Sequence, residues 1–370
     1  MSSDVFTDYI STHHRRQFNK LFVLSWILGP RLSSKLLGHK LSRLLSDIGR
    51  DMPSQKFRGQ TYQLARVRNL STAEFHENFL FKNEPVVLEG AASTWAATSK
   101  WTPQFLAESY GDVIVPFAEG KDWKVSDLPD YSVNAGFGHV TFGELLKGLD
   151  QGSGKYLRFY PILSRHPELL QDVQLSTIWD YGNLDERSKR WLNARVYIGG
   201  KGTSTAIHHA PITNLFIQIY GQKKWDLFPP RYSPFMYPVA SRTTYFGGKV
   251  DYRDPDESKT PLFKHCDRYT TVLEPGDILF VPPFWWHAVS NITSTIAISC
   301  WWYRFGAFIK DRYCRPQSLL SLFGTPNPIL IGLGLRKEDT ETTMHIINNA
   351  LNEKATGQRF TSPDPSVNNR

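Results

Sequence analysis

Cysteine is scarce: Cys266, Cys300 and Cys314 stand alone in 370 residues, with no Cys-x-x-Cys pair and no zinc spacing. An odd, scattered set argues against a disulfide framework and for a reducing compartment. Nowhere does the chain hold the run of about 20 apolar residues that a helix needs to cross a bilayer, and the apolar-rich stretch 21–28 is far too short. Internal repeats are absent, as are zinc modules, chromatin readers and RNA-binding motifs. Between Tyr9 and Ser46 there is no Asp or Glu, whereas Arg15, Arg16, Lys20, Arg31, Lys35, Lys40 and Arg43 supply positive charge. A transit peptide, a helix on a membrane surface and a basic helical arm packed on the main domain all fit this composition. Apolar residues continue to Leu45 and no small-residue cleavage site stands out, which favours the arm.

What is present suffices for a sizeable core: 41% of residues are hydrophobic and 14% aromatic. The net charge of +8 is spread along the chain rather than gathered in one run, so no nucleic-acid partner is indicated. Asn69-Leu-Ser and Asn291-Ile-Thr match the glycosylation pattern, but Asn291 falls in a segment expected to be buried, and both are discounted.

The stretch 202–230, GTSTAIHHAPITNLFIQIYGQKKWDLFPP, carries most of the chemistry. Residues 214–220 are apolar and β-rich, Gly221-Gln222 reads as a turn, and 223–228 reads as a second strand stopped by Pro229-Pro230. A hairpin is therefore expected, holding Lys223 close to whatever His208 binds. Burying a lysine is costly unless an anion pairs with it, so Lys223 favours a bound anion. His209 should face away from His208, because successive side chains of an extended strand alternate. Asp226 should likewise face away from Lys223. Residues 274–287, EPGDILFVPPFWWH, end on His287, and Asp277 within them belongs to a Pro-Gly-Asp turn that it would fix.

These two segments resemble the JmjC and cupin-like 2-oxoglutarate oxygenases, where a strand end carries His-x-Asp before an Asn and a GxKxWxLFPP segment, and PGDxxFxPxxWWH closes the site. The lead-in is similar too, through Phe75, Pro85 to Gly90, Trp95, Trp101, Leu106 and Gly111-Asp112. The resemblance implies Fe(II) and 2-oxoglutarate as cofactors and oxidation of a C–H bond. It implies His208 and His287 as metal ligands, Thr205 and Lys223 at the far carboxylate of 2-oxoglutarate, and Tyr156 and Asn214 as further contacts. Its fold is mainly β, a double-stranded β-helix of jelly-roll type with flanking N- and C-terminal helices. Ala210 stands where the carboxylate ligand belongs in the family. Three readings follow: a halogenase-like site with a vacant ligand position, a hydroxylase with a two-histidine site or a ligand supplied by another segment such as 241–264, and an inactive fold serving as a binding or interaction module.

The domain plan is a basic helical extension over 1–61, the cupin-like domain over 62–305, a helical region over 306–356 and a disordered tail over 357–370. Ser71-Thr-Ala-Glu74 and Thr141-Phe-Gly-Glu144 are capping boxes that start helices, and Thr102-Pro103 is a third start signal. Residues 86–88, 155–160, 195–199 and 294–303 read as strands. The polar stretch 241–264 reads as a lid loop over the substrate, and a helix is expected near 337–354. The substrate is a protein side chain or a small molecule, a homodimer through the C-terminal helices is an open expectation, and the expected location is intracellular, in the cytoplasm.

Overall fold

The computed structural model describes residues 10–52, 59–119, 137–186, 189, 193–240, 246–304, 306–307 and 313–323. The chain opens with two helices, α1 (Thr12–Leu28) and α2 (Pro30–Asp51), joined by Gly29 at φ +74°. The Ser11 side chain caps the first turn of α1, and Pro30 supplies the preset φ that starts α2. His14 near the start of α1 lies 3.5 Å from Asp51 at the end of α2, so the helices fold back on one another as a hairpin.

The strands among the described residues are β1 (Thr61–Gln63), β2 (Arg66–Arg68), β3 (Val86–Glu89), β4 (Ile114–Glu119), β5 (Phe137–Thr141), β6 (Lys155–Tyr160), β7 (Asn193–Gly199) and β8 (Ser204–His209). There follow β9 (Thr213–Tyr220), β10 (Lys223–Phe228), β11 (Phe246–Gly247), β12 (Arg268–Leu273), β13 (Ile278–Val281), β14 (Trp286–Asn291) and β15 (Thr295–Trp302). They form a six-stranded sheet in the order β1-β12-β10-β14-β8-β11 and a nine-stranded sheet in the order β2-β3-β13-β9-β15-β7-β6-β4-β5.

The sheets pack face to face. Val87, Phe216, Leu279, Val281 and Ala297 of the larger sheet meet Trp225, Leu227, Leu273 and Val289 of the smaller one. The outer face of the larger sheet is covered by short helices bearing Phe75, Trp95, Trp101, Leu106 and Phe142. The outer face of the smaller sheet presents Ile207, Phe228, Trp286 and Ala288 to Phe18, Phe22, Leu44 and Ile48 of the helical hairpin. Burial of one such side chain contributes about 1.5–3 kcal/mol, which fixes the basic N-terminal helices to the body of the protein.

The expectation of a mainly β double-stranded β-helix is corrected here. Among the described residues helix takes 38% against 29% in strands, and the two sheets are separate and open rather than closed into a barrel. The largest share of the helix is the N-terminal pair, of 17 and 22 residues, which lies outside the sheets; capping boxes start two short helices more, where Ser71 and Thr141 each accept from the backbone of the residue three on and Glu74 and Glu144 reach back to the cap. The hairpin expected at 214–228 is also corrected. Strand β9 pairs with β13 and β15, whereas β10 pairs with β12 and β14, so Gly221-Gln222 is a corner that carries the chain from one sheet to the other. Gly221 sits at φ +70°, and a Cβ there would lie 1.9 Å from the carbonyl oxygen of Ser294.

The described part of 241–264 does not lie over the space between the sheets. Phe246 and Gly247 pair with the edge of β8, and Val250, Tyr252, Leu262 and Phe263 pack on the outer face beside the helical hairpin. The helix expected near 337–354, and with it the dimer surface, lies outside the described residues, as does the tail 357–370. Asn291 is buried and donates to the Thr203 hydroxyl at 2.8 Å, in keeping with its dismissal as a glycosylation site.

Candidate functional site

The inner face of the smaller sheet brings the two histidines together. His208 on β8 and His287 on β14 are direct partners across antiparallel strands, with ring centroids 4.3 Å apart. Each ring is held by its own strand: His208 Nδ1 donates to the Ala206 carbonyl at 2.8 Å and His287 Nδ1 to the Trp285 carbonyl at 2.9 Å. A carbonyl only accepts, so Nδ1 carries the proton on both rings and Nε2 is left with its lone pair. Desolvation lowers His208 to about 4, with a smaller push from the Arg158 charge, and carries His287 well below its ordinary value. Both imidazoles are therefore neutral at pH 7.

Thr205 joins them through a bulge. The pairs His287 with His208 and Val289 with Thr205 leave three steps on β8 against two on β14. One extra residue on β8 thus turns Thr205 to the side of His208, which plain alternation along the strand would not do. His209 goes the other way, fully buried against Trp286 at 4.2 Å and Phe246 at 5.3 Å, and burial lowers it to about 3.

Lys223 begins β10 and is wholly buried. Its ammonium donates to the Tyr156 hydroxyl at 3.1 Å and lies 5.2 Å from the Tyr156 ring centre and 5.5 Å from that of Phe216. Desolvation lowers its pKa, opposed by Tyr156. Among the described residues no carboxylate forms an ion pair with it. Tyr156 reaches this point because β7 carries Gly199 opposite it, where a Cβ would come within 2.7 Å of the Tyr156 ring. From Tyr156 a row of rings runs to the histidines: Tyr197 at 6.4 Å, then Phe216 at 5.8 Å, Trp225 at 4.8 Å and His287 at 5.4 Å.

Asn214 is buried on β9, where its side-chain oxygen accepts from Ser299 at 2.9 Å. Ala210, just past the end of β8, is buried and offers only a methyl group, while its carbonyl accepts from the Phe284 amide at 2.8 Å. Asp226 lies on the outer face of β10, 3.6 Å from Lys224. Asp277 is committed elsewhere, accepting from Arg66 at 2.8 Å, the Gly90 amide at 3.0 Å and the Glu274 amide at 2.9 Å.

Arg158 is a site residue that the sequence reading missed. It donates to the Ser204 carbonyl at 3.3 Å and stacks over the Tyr156 ring at 4.7 Å. The signal was available, since Tyr156 and Arg158 are two apart on one strand and share a face. Trp225 was missed for a different reason: a tryptophan in an apolar strand carries no mark of what it will stack on.

The non-haem iron triad needs two imidazoles and one carboxylate. Among the described residues no group of three His, Cys, Asp or Glu side chains converges, so the donor set supplies the imidazoles alone and does not fit a resident Fe(II) of that kind. At the other end lie a buried ammonium bonded to a phenol hydroxyl and a guanidinium over the same phenol ring, a cationic setting in which an anion would be stabilised.

A sequence-family profile described as a cupin-like domain matches residues 72–308. Lysine-specific demethylase 8 of Xenopus tropicalis is 28% identical over 235 residues, covering 63% of this chain and 51% of that protein. Lysine-specific demethylase JMJ30 of Arabidopsis thaliana is 28% identical over 239 residues, covering 63% and 53% respectively. HSPB1-associated protein 1 of Homo sapiens is 26% identical over 292 residues, covering 72% and 57%. The chain spans about half the length of the curated relatives it matches.

Proposed function

Because the chain belongs to the cupin-like domain family, we propose that it is a binding module derived from 2-oxoglutarate oxygenases, catalytically inactive in C–H oxidation. It holds a small dicarboxylate of the 2-oxoglutarate type between its sheets, with Lys223, Tyr156 and Thr205 at the far carboxylate and Asn214 near by. The observation that carries the reading is the pairing of His208 and His287 with a methyl group at Ala210 and no third donor among the described residues. A metal held by two imidazoles alone has lost the ligand that anchors the oxygenase geometry. The buried, carboxylate-free Lys223 supports retained anion binding, because such a charge is costly without an anion. The names of the relatives, a lysine-specific demethylase and an HSPB1-associated protein, support a polypeptide as the partner that the module recognises.

The second reading is a 2-oxoglutarate oxygenase, hydroxylating or halogenating, with Fe(II) on His208 and His287. It is favoured by one observation, that both Nε2 lone pairs are preset by the Nδ1 bonds to Ala206 and Trp285. Calorimetric titration with 2-oxoglutarate, alongside a succinate assay with Fe(II), ascorbate and chloride, separates the two. Dicarboxylate binding without succinate release is the expected result. Iron-dependent succinate release overturns the module in favour of the oxygenase, and absence of any binding removes the dicarboxylate.

A further inference from the structure

The helical hairpin uses one side of each helix to reach the protein body and leaves the other side free. On α1, Phe18 and Phe22 are buried, while Arg16, Lys20, Leu24 and Ile27 follow one another at helical spacing on the opposite side. On α2, Leu37, Leu44 and Ile48 are buried, and Leu32, Lys35, Leu36, Lys40 and Arg43 form the exposed side. Leu24 is 45% exposed, Ile27 56%, Leu32 45% and Leu36 53%, an unusual concentration of large aliphatic side chains in water.

Their order along the hairpin is informative. These four residues lie within seven positions of Gly29, hence within about 10 Å of the turn at 1.5 Å per residue. Arg16, Lys20, Lys40 and Arg43 lie nine to fourteen positions from it, roughly 13–21 Å back. The hairpin thus has an apolar tip and a cationic collar behind it. Arg31 and Lys35 also fall within the tip by position, and the long stem of Lys35 allows its ammonium to reach back toward the collar. Acidic residues enter only at the far end, where Asp47 bonds Arg50 and Asp51 meets His14.

We infer that this tip is a docking surface for a membrane bearing anionic headgroups. Peripheral amphipathic segments bury apolar side chains about 5–10 Å into the boundary between headgroups and acyl chains, a depth that the apolar tip can fill when the hairpin enters end-on. Basic residues near an anionic surface are attracted to it, and the collar falls at the depth of the headgroups once the tip is seated. Charge decides against a protein groove as the occupant: the free side is apolar at one end and uniformly positive at the other. No helix of the described residues is long and apolar enough to cross the bilayer, so the contact is peripheral.

The test uses the full 370-residue chain in flotation with vesicles of phosphatidylcholine, alone or mixed with phosphatidylglycerol. Wild type floats with the anionic vesicles and not with the neutral ones, and high salt releases it. Ile27→Ser with Leu36→Ser weakens flotation roughly tenfold or more, and so does Lys20→Glu with Lys40→Glu. All four positions are exposed, so both variants keep the wild-type melting curve. Equal flotation on the two vesicle types, or flotation unchanged in both variants, overturns the proposal. So does a wild-type dimer in sedimentation that becomes monomeric in Ile27→Ser with Leu36→Ser while no vesicles are bound, since the tip is then a self-association surface.

Discussion

Lys223 of the six-stranded sheet donates to the hydroxyl of Tyr156 in the nine-stranded sheet across 3.1 Å, a polar bond through a largely apolar layer. Neither partner is a carboxylate, which is the premise of the anion site proposed above. Lys223→Met keeps the length and removes the charge. A charge-assisted bond contributes about 1.5–3 kcal/mol, so 2-oxoglutarate affinity in calorimetry should fall roughly tenfold or more, while the melting temperature holds or rises because a costly buried charge is gone. Undiminished affinity would remove Lys223 from the anion site.

Ala210→Asp places a carboxylate two residues from His208, completing the two-imidazole, one-carboxylate set. Mn(II) or Co(II) affinity, measured by calorimetry without any substrate, should rise roughly tenfold or more, since changes of surrounding partners alone alter metal affinity by such factors. If affinity stays at the wild-type level, position 210 does not face the imidazole pair.

Acid should destabilise the fold through its buried imidazoles. His209 titrates near its ordinary value of 6.5 when unfolded and at about 3 when folded, because burial disfavours its charged form. Between those values the unfolded chain binds more protons, so stability is complete above pH 6.5 and is lost as pH falls toward about 3. His208, lowered to about 4, acts in the same direction. His209→Phe, packed against the same Trp286 and Phe246, should flatten the decline in denaturant midpoint between pH 7 and pH 5. An equally steep decline in the variant would place the titration elsewhere.

Gly221→Ala should destabilise by about 3 kcal/mol or more, combining a left-handed backbone with a Cβ 1.9 Å from Ser294. Urea unfolding measures it. A loss below about 1 kcal/mol would mean that the corner can open without disturbing either sheet.

Local features of this protein could be read from the sequence because local physics determines them. Ser71, Thr102 and Thr141 announce helix starts through bonds closed within three residues. The opposite directions of His208 and His209 follow from alternation. The strand at 223–228 was found with its bounds, yet its partner was misassigned. Nothing in Gly221-Gln222 says whether the chain turns back beside β9 or passes into a second layer; that is decided by Thr293 and Ser294, some 70 residues later, which close on the corner. The bulge that turns Thr205 inward is equally a property of two strands at once. The fold class was drawn too far toward β, because the site motifs lie on strands and the helices that cover them carry no chemistry.

Strands near the start of the chain find their partners near its end. Tyr62 in β1 stands beside Tyr269, Leu88 in β3 pairs with Ile278, and the Gly90 amide bonds a carboxylate 187 residues away. At about 5–20 residues per second a ribosome takes roughly 10–40 s to deliver those partners. Through that interval Val86, Val87 and Leu88 have β2 on one side but lack β13, which closes the other. This protein therefore passes its synthesis with one edge of an apolar strand unpaired, and neither sheet can be completed until the last third of the chain has emerged.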